Sequence, residues 1–138
     1  HGFTMIKLDS NSMIDRAVRK AGHAEFGGDS WREGLGRLVD ALNNTAQLTQ
    51  DGSNMMSYRI TLLLINRLAI ERTYKAHPEI ADHAVQGPVF VIGLPRTGTT
   101  ALSQLVAADP QMRSLRAWES GNPVPPTALK DDAGHGDV

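Results

Sequence analysis

At 138 residues, with 41% hydrophobic content and a formal net charge of -1, the chain is soluble globular material large enough for one ordinary domain. Its charges are mixed in sign with no basic block, which removes the electrostatic footprint of a nucleic-acid binder, and the longest apolar stretch, Leu62–Ile65, stops at Asn66 and Arg67, far too short to span a bilayer. Cysteine is absent, so disulfides and thiolate chemistry are excluded, and with no secretory leader visible at the first residues a reducing, cytoplasmic setting is expected.

Three helices are predicted first. Met13, Ile14, Ala17, Val18 and Ala21 recur at helical spacing over Ser12–Ala21, and Gly22 is placed to end that helix. Ser30-Trp-Arg-Glu33 reads as a capping box opening a helix with the apolar stripe Leu35, Leu38, Val39 and Leu42. After a turn at Thr49–Ser53, a longer helix is predicted from about Asn54 to Ala76, broken at His77-Pro78. Val89, Phe90, Val91 and Ile92 then form an unbroken, mostly β-branched run, which predicts a buried parallel strand. A weaker strand is expected near Met112–Leu115, and the polar, glycine-rich tail from Lys130 is expected to be mobile.

The segment after the first strand carries the chemistry. Gly93 and Gly98 allow a tight backbone path, while Thr99 and Thr100 supply hydroxyls and open a helix through Ala101, Leu102, Leu105 and Val106. The unpaired N–H groups of such a first turn, together with the positive end of the helix dipole, favour a phosphate or sulfate. The glycine spacing is that of the loop G-x-x-x-x-G-K-[ST], but Thr99 stands at the lysine position that an ATPase or GTPase needs. The cation lies inside the loop instead, at Arg96.

Pro95-Arg96-Thr97-Gly98-Thr99-Thr100 resembles, without a gap, the 5′-phosphosulfate loop of the sulfotransferases that use 3′-phosphoadenosine-5′-phosphosulfate (PAPS). The arginine form is similar to the bacterial branch and the tyrosylprotein sulfotransferases. Met112–Glu119, Asn122–Pro126, Phe26–Leu35, Asn66–Leu68 and His77–Ile80 also resemble the bacterial family, so the likeness covers nearly the whole chain. The resemblance implies a P-loop-like, doubly wound α/β domain with a parallel sheet, of which only the first strand-loop-helix is expected here: residues 1–86 as an N-terminal helical region and 87–138 as the start of a truncated sulfotransferase domain. It further implies that the N–H groups of Thr97, Gly98, Thr99 and Thr100 hold the 5′-phosphate and that Arg96 stabilises charge on the bridging oxygen. The 3′-phosphate and adenine sites would follow residue 138. The implied partner is a small-molecule or lipid acceptor, the co-substrate is PAPS, and no metal is required.

Acceptor activation points to Glu119, which matches the place of the glutamate base in the tyrosylprotein enzymes; an N-cap partner or a surface charge remain equal readings of it. Trp118 is a candidate for the acceptor entrance or for the core, and Pro123–Pro126 for a stiff connection. His77, His83 and His135 fall in breaks or the tail, and no pair has a zinc-helix spacing. With its sheet incomplete, the isolated chain is expected to be inactive and to self-associate. Two other classes stay open: a kinase-like nucleotide-binding protein with an atypical loop, and a non-catalytic helical module docking through Trp31, Leu38 or Leu63.

Overall fold

The computed structural model describes residues 7–85 and 87–124. It divides into two compact units that meet between His77 and Pro78.

The first unit contains α1 (Ser10–Ala21), α2 (Ser30–Asn44) and α3 (Gln50–Ala76). α1 begins two residues before the predicted start because Asp9 caps it: its carboxylate accepts from the Ser12 backbone N–H at 2.8 Å and the Ser12 hydroxyl at 2.6 Å. Gly22 ends it in the left-handed region, its N–H donating to Val18 at 2.9 Å. The capping box expected at Ser30–Glu33 does not form. Asp29 takes the N-cap position, and the Glu33 carboxylate turns along the helix to Arg37 instead, at 2.7 Å. The predicted turn at Thr49–Ser53 is itself the start of α3: the Thr49 hydroxyl accepts from the Gly52 N–H at 3.1 Å, so the helix opens four residues earlier than the predicted start at Asn54.

The core of this unit is Leu8, Met13, Ala17, Phe26, Val39, Ile60, Leu64 and Leu68, with α1 packed chiefly on α3. Leu38, read as part of the α2 stripe, is exposed. Two polar clamps set the irregular segments on this core. The Asn43 side chain pairs with the backbone of Leu8 in both directions, at 2.8 and 2.9 Å, which saves a buried amide from going unsatisfied. Arg67 on α3 donates to the carbonyl of Phe26 at 2.6 Å, and its guanidinium and that of Arg32 lie over the Trp31 ring.

The second unit holds a short 3-10 turn at Pro78–Asp82, then α4 (Thr99–Ala107) and α5 (Ala117–Gly121). Neither predicted strand is formed among the described residues: 88–94 and 112–116 run without regular structure. A strand exists through ladder bonds to neighbours and cover on its faces, and the intended core residues Val89, Phe90 and Ile92 are 58, 78 and 91% exposed. The parallel sheet is therefore absent from the described residues, which are helical and irregular. The tail from residue 125 onward, including Lys130, lies outside the described residues, as does His135.

Candidate active site

Leu94, Pro95, Arg96 and Thr97 form a tight turn, closed by the Thr97 N–H on the Leu94 carbonyl at 3.3 Å and reinforced by the Thr97 hydroxyl on the same oxygen at 2.7 Å. Proline in the second place and φ of 69° at Arg96 in the third are the signature of a type II turn, a conformation that ordinarily selects glycine or asparagine. Gly98 then takes φ of 87° as the N-cap of α4.

Two threonines fold back over Gly93. A Cβ there would lie 2.6 Å from Thr99 Cγ2 and 2.7 Å from Thr97 Oγ1, so only glycine lets the loop close over the preceding chain. The two glycines thus act differently, Gly93 through space and Gly98 through φ.

At the mouth of this loop, no side chain caps α4, so the N–H groups of its first turn are left for an outside acceptor. Arg96 is exposed and makes no hydrogen bond or ion pair among the described residues. Thr97 spends its hydroxyl on the turn, whereas no protein group among the described residues engages the hydroxyls of Thr99 and Thr100. The structure therefore brings Arg96, Thr97, Gly98, Thr99 and Thr100 into one continuous loop in which Thr97 holds the turn, while the backbone donors of Gly98, Thr99 and Thr100, the Arg96 cation and the hydroxyls of Thr99 and Thr100 have no partner among the described residues. Such a set can hold a tetrahedral oxyanion without reorganising.

Glu119 sits on α5 and is largely covered. One carboxylate oxygen accepts from Arg113 at 2.6 Å and the other from the Arg116 backbone N–H at 2.8 Å. The N-cap reading of Glu119 is thus realised on the backbone side, and Arg113 is a partner that sequence reasoning missed. A six-residue separation across a non-helical stretch matches neither helical nor strand spacing, so no periodicity announces it. Trp118 is exposed. Among the described residues no cluster of His, Asp and Glu is arranged to hold a metal ion, and no helix is long and apolar enough to cross a membrane.

Residues 88–135, which include the whole loop, match the profile of the sulfotransferase family. Two solved structures are similar to this chain. The sulfotransferase STF1 from Mycobacterium tuberculosis is 37% identical with a TM-score of 0.80, over 86% of this chain and 33% of that one. The sulfotransferase STF9 from Mycobacterium avium is 36% identical with a TM-score of 0.78, over 91% of this chain and 32% of that one. Comparison with curated protein sequences gives no match. The chain spans about a third of the length of the solved structures it resembles. On the family match across the loop and the shared fold with these enzymes, the chain belongs to the sulfotransferase family.

Proposed function

We propose that the protein transfers a sulfuryl group from PAPS to a hydroxyl or amine of a small-molecule or lipid acceptor, with the loop from Gly93 to Thr100 as the 5′-phosphosulfate site. The observation that carries this reading is the conjunction, inside the stretch matched by the family profile, of an uncapped helix start and an Arg96 that has no partner among the described residues. The residues fit the group. The Thr97 N–H is spent on the Leu94 carbonyl, so the backbone N–H groups that suit a 5′-phosphate are those of Gly98, Thr99 and Thr100.

The co-substrate supplies the sulfuryl group, and the bond from sulfur to the bridging phosphate oxygen breaks as the bond to the acceptor forms. Arg96 places its guanidinium where charge grows on that bridging oxygen, which is the role of a preorganised electrostatic contact. Glu119 takes the acceptor proton. A carboxylate has about four acceptor directions, and Arg113 and Arg116 occupy two, fixing the group while leaving others for a proton. No metal enters this scheme, since positioning and charge stabilisation carry it.

The test is transfer of labelled sulfuryl from PAPS by the intact protein to a panel of phenols, sterols, carbohydrates and lipids, with chelator present. Sulfated product from at least one acceptor is expected. Magnesium-dependent phosphoryl transfer from a nucleoside triphosphate, with no sulfation, would overturn the reading.

A further inference from the structure

The helical unit contains a cleft that the sulfuryl-transfer reading does not use. It is an open groove between α1 and α3 with a volume of about 550 Å3, inside the range of about 300–1,000 Å3 typical of small-molecule sites. Arg16, Arg19 and Lys20 stand along one rim, at the i, i+3 and i+4 spacing that puts side chains on one helix face. The wall opposite is hydroxylic, with Ser57 and Thr61, and Leu62 and Ile65 supply the apolar surface.

The charge in this cleft is one-sided. No acidic side chain is among its lining residues, and Arg19 and Lys20 form no ion pair among the described residues. Arg16 donates to the Ser57 hydroxyl, which leaves that hydroxyl's own proton free to donate further. The dipole of α1 accounts for two cations in its last turn. It does not account for Arg16 a turn earlier, nor for the apolar strip facing all three.

From this arrangement we infer that the cleft binds a single anionic amphiphile. Its phosphate, sulfate or carboxylate group meets Arg16, Arg19, Lys20 and the Ser57 hydroxyl, and its alkyl chain lies along Leu62 and Ile65. Cationic donors and a hydroxyl recognise the anion through charge-assisted hydrogen bonds, and burial of the chain adds affinity that a bare anion lacks. This site is independent of the phosphosulfate loop and stands or falls without it.

The experiment is calorimetric titration of the intact protein with monododecyl phosphate below its micelle threshold. Saturable one-to-one binding is expected, weakened by added salt because the rim is solvent-exposed. Inorganic phosphate and dodecyl maltoside, which each lack one half of the ligand, should bind at least about tenfold more weakly, as should monododecyl phosphate to the double variant Arg19→Ala, Lys20→Ala. Those two residues are exposed, and circular dichroism of the double variant verifies that the helices persist; Arg16→Gln provides a second variant with the same expectation. The inference is overturned by absence of saturable binding, by equal affinity for either half-ligand, by undiminished affinity in both folded variants, or by binding to anionic phospholipid vesicles alone.

Discussion

Replacing Arg96 separates its chemistry from its backbone. Its φ of 69° lies in the left-handed region, which costs a non-glycine residue about 1–2 kcal/mol. Arg96→Gly relieves most of that strain but adds about 0.5–1 kcal/mol of unfolded-chain entropy, so stability should rise by no more than about 1 kcal/mol. Arg96→Ala keeps the strain and, because the side chain has no partner among the described residues, should leave stability close to the parent's. Both variants lose the free cation. Loss of one preorganised contact to developing charge costs about 2.7–4 kcal/mol, roughly a hundred- to a thousandfold in rate. Steady-state sulfuryl transfer by the intact enzyme, run beside thermal unfolding, should therefore show two stable proteins with equally depressed kcat. Turnover within about threefold of the parent in either variant would refute the role given to Arg96.

Glu119→Gln keeps an acceptor for the Arg116 N–H but removes the proton-accepting charge, and should lower turnover by about 10²–10⁴-fold with donor affinity nearly intact; an equal fall in donor affinity would make Glu119 structural. Gly27→Ala combines φ of 72° with a Cβ 2.3 Å from Glu71 Oε1, so a loss of about 1–3 kcal/mol is expected in urea unfolding. The hydrogen bonds from the Ser12 hydroxyl and N–H hold the Asp9 carboxyl below its ordinary range. Because the folded value is the lower one, the stabilisation is present above about pH 4 and is lost as pH falls through the folded value. Thermal unfolding should accordingly place Asp9→Ala below the parent at pH 7, with the gap closing in acid; a gap that widens in acid would contradict the cap.

The helical unit was legible where apolar residues repeat at 3.6, as Met13, Ala17, Leu35 and Val39 do, since burial of one face decides such a helix. The starts of α1 and α3 were not, because capping side chains settle them. Asp9 and Thr49 cap from outside the apolar pattern, and Glu33 preferred Arg37 to the cap position assigned to it. The loop was readable because Gly93, Pro95 and Gly98 encode its path residue by residue. The positive φ of Arg96 was not, as nothing in an arginine predicts it. The run Val89–Ile92 has strand composition, yet a strand is a property of pairs, and composition cannot supply the partner.

The proposed role of Gly93–Thr100 is to hold the 5′-phosphate end of PAPS. Calorimetric titration of the intact protein with adenosine 3′,5′-bisphosphate in chelator, for the parent and for Gly93→Val, tests it most directly. A valine side chain would drive into Thr97 and Thr99 and open the cradle, while thermal unfolding verifies that the rest of the fold survives. Saturable, metal-independent binding by the parent and its loss in the folded variant are expected. No binding by the parent, or equal binding by both, would contradict it.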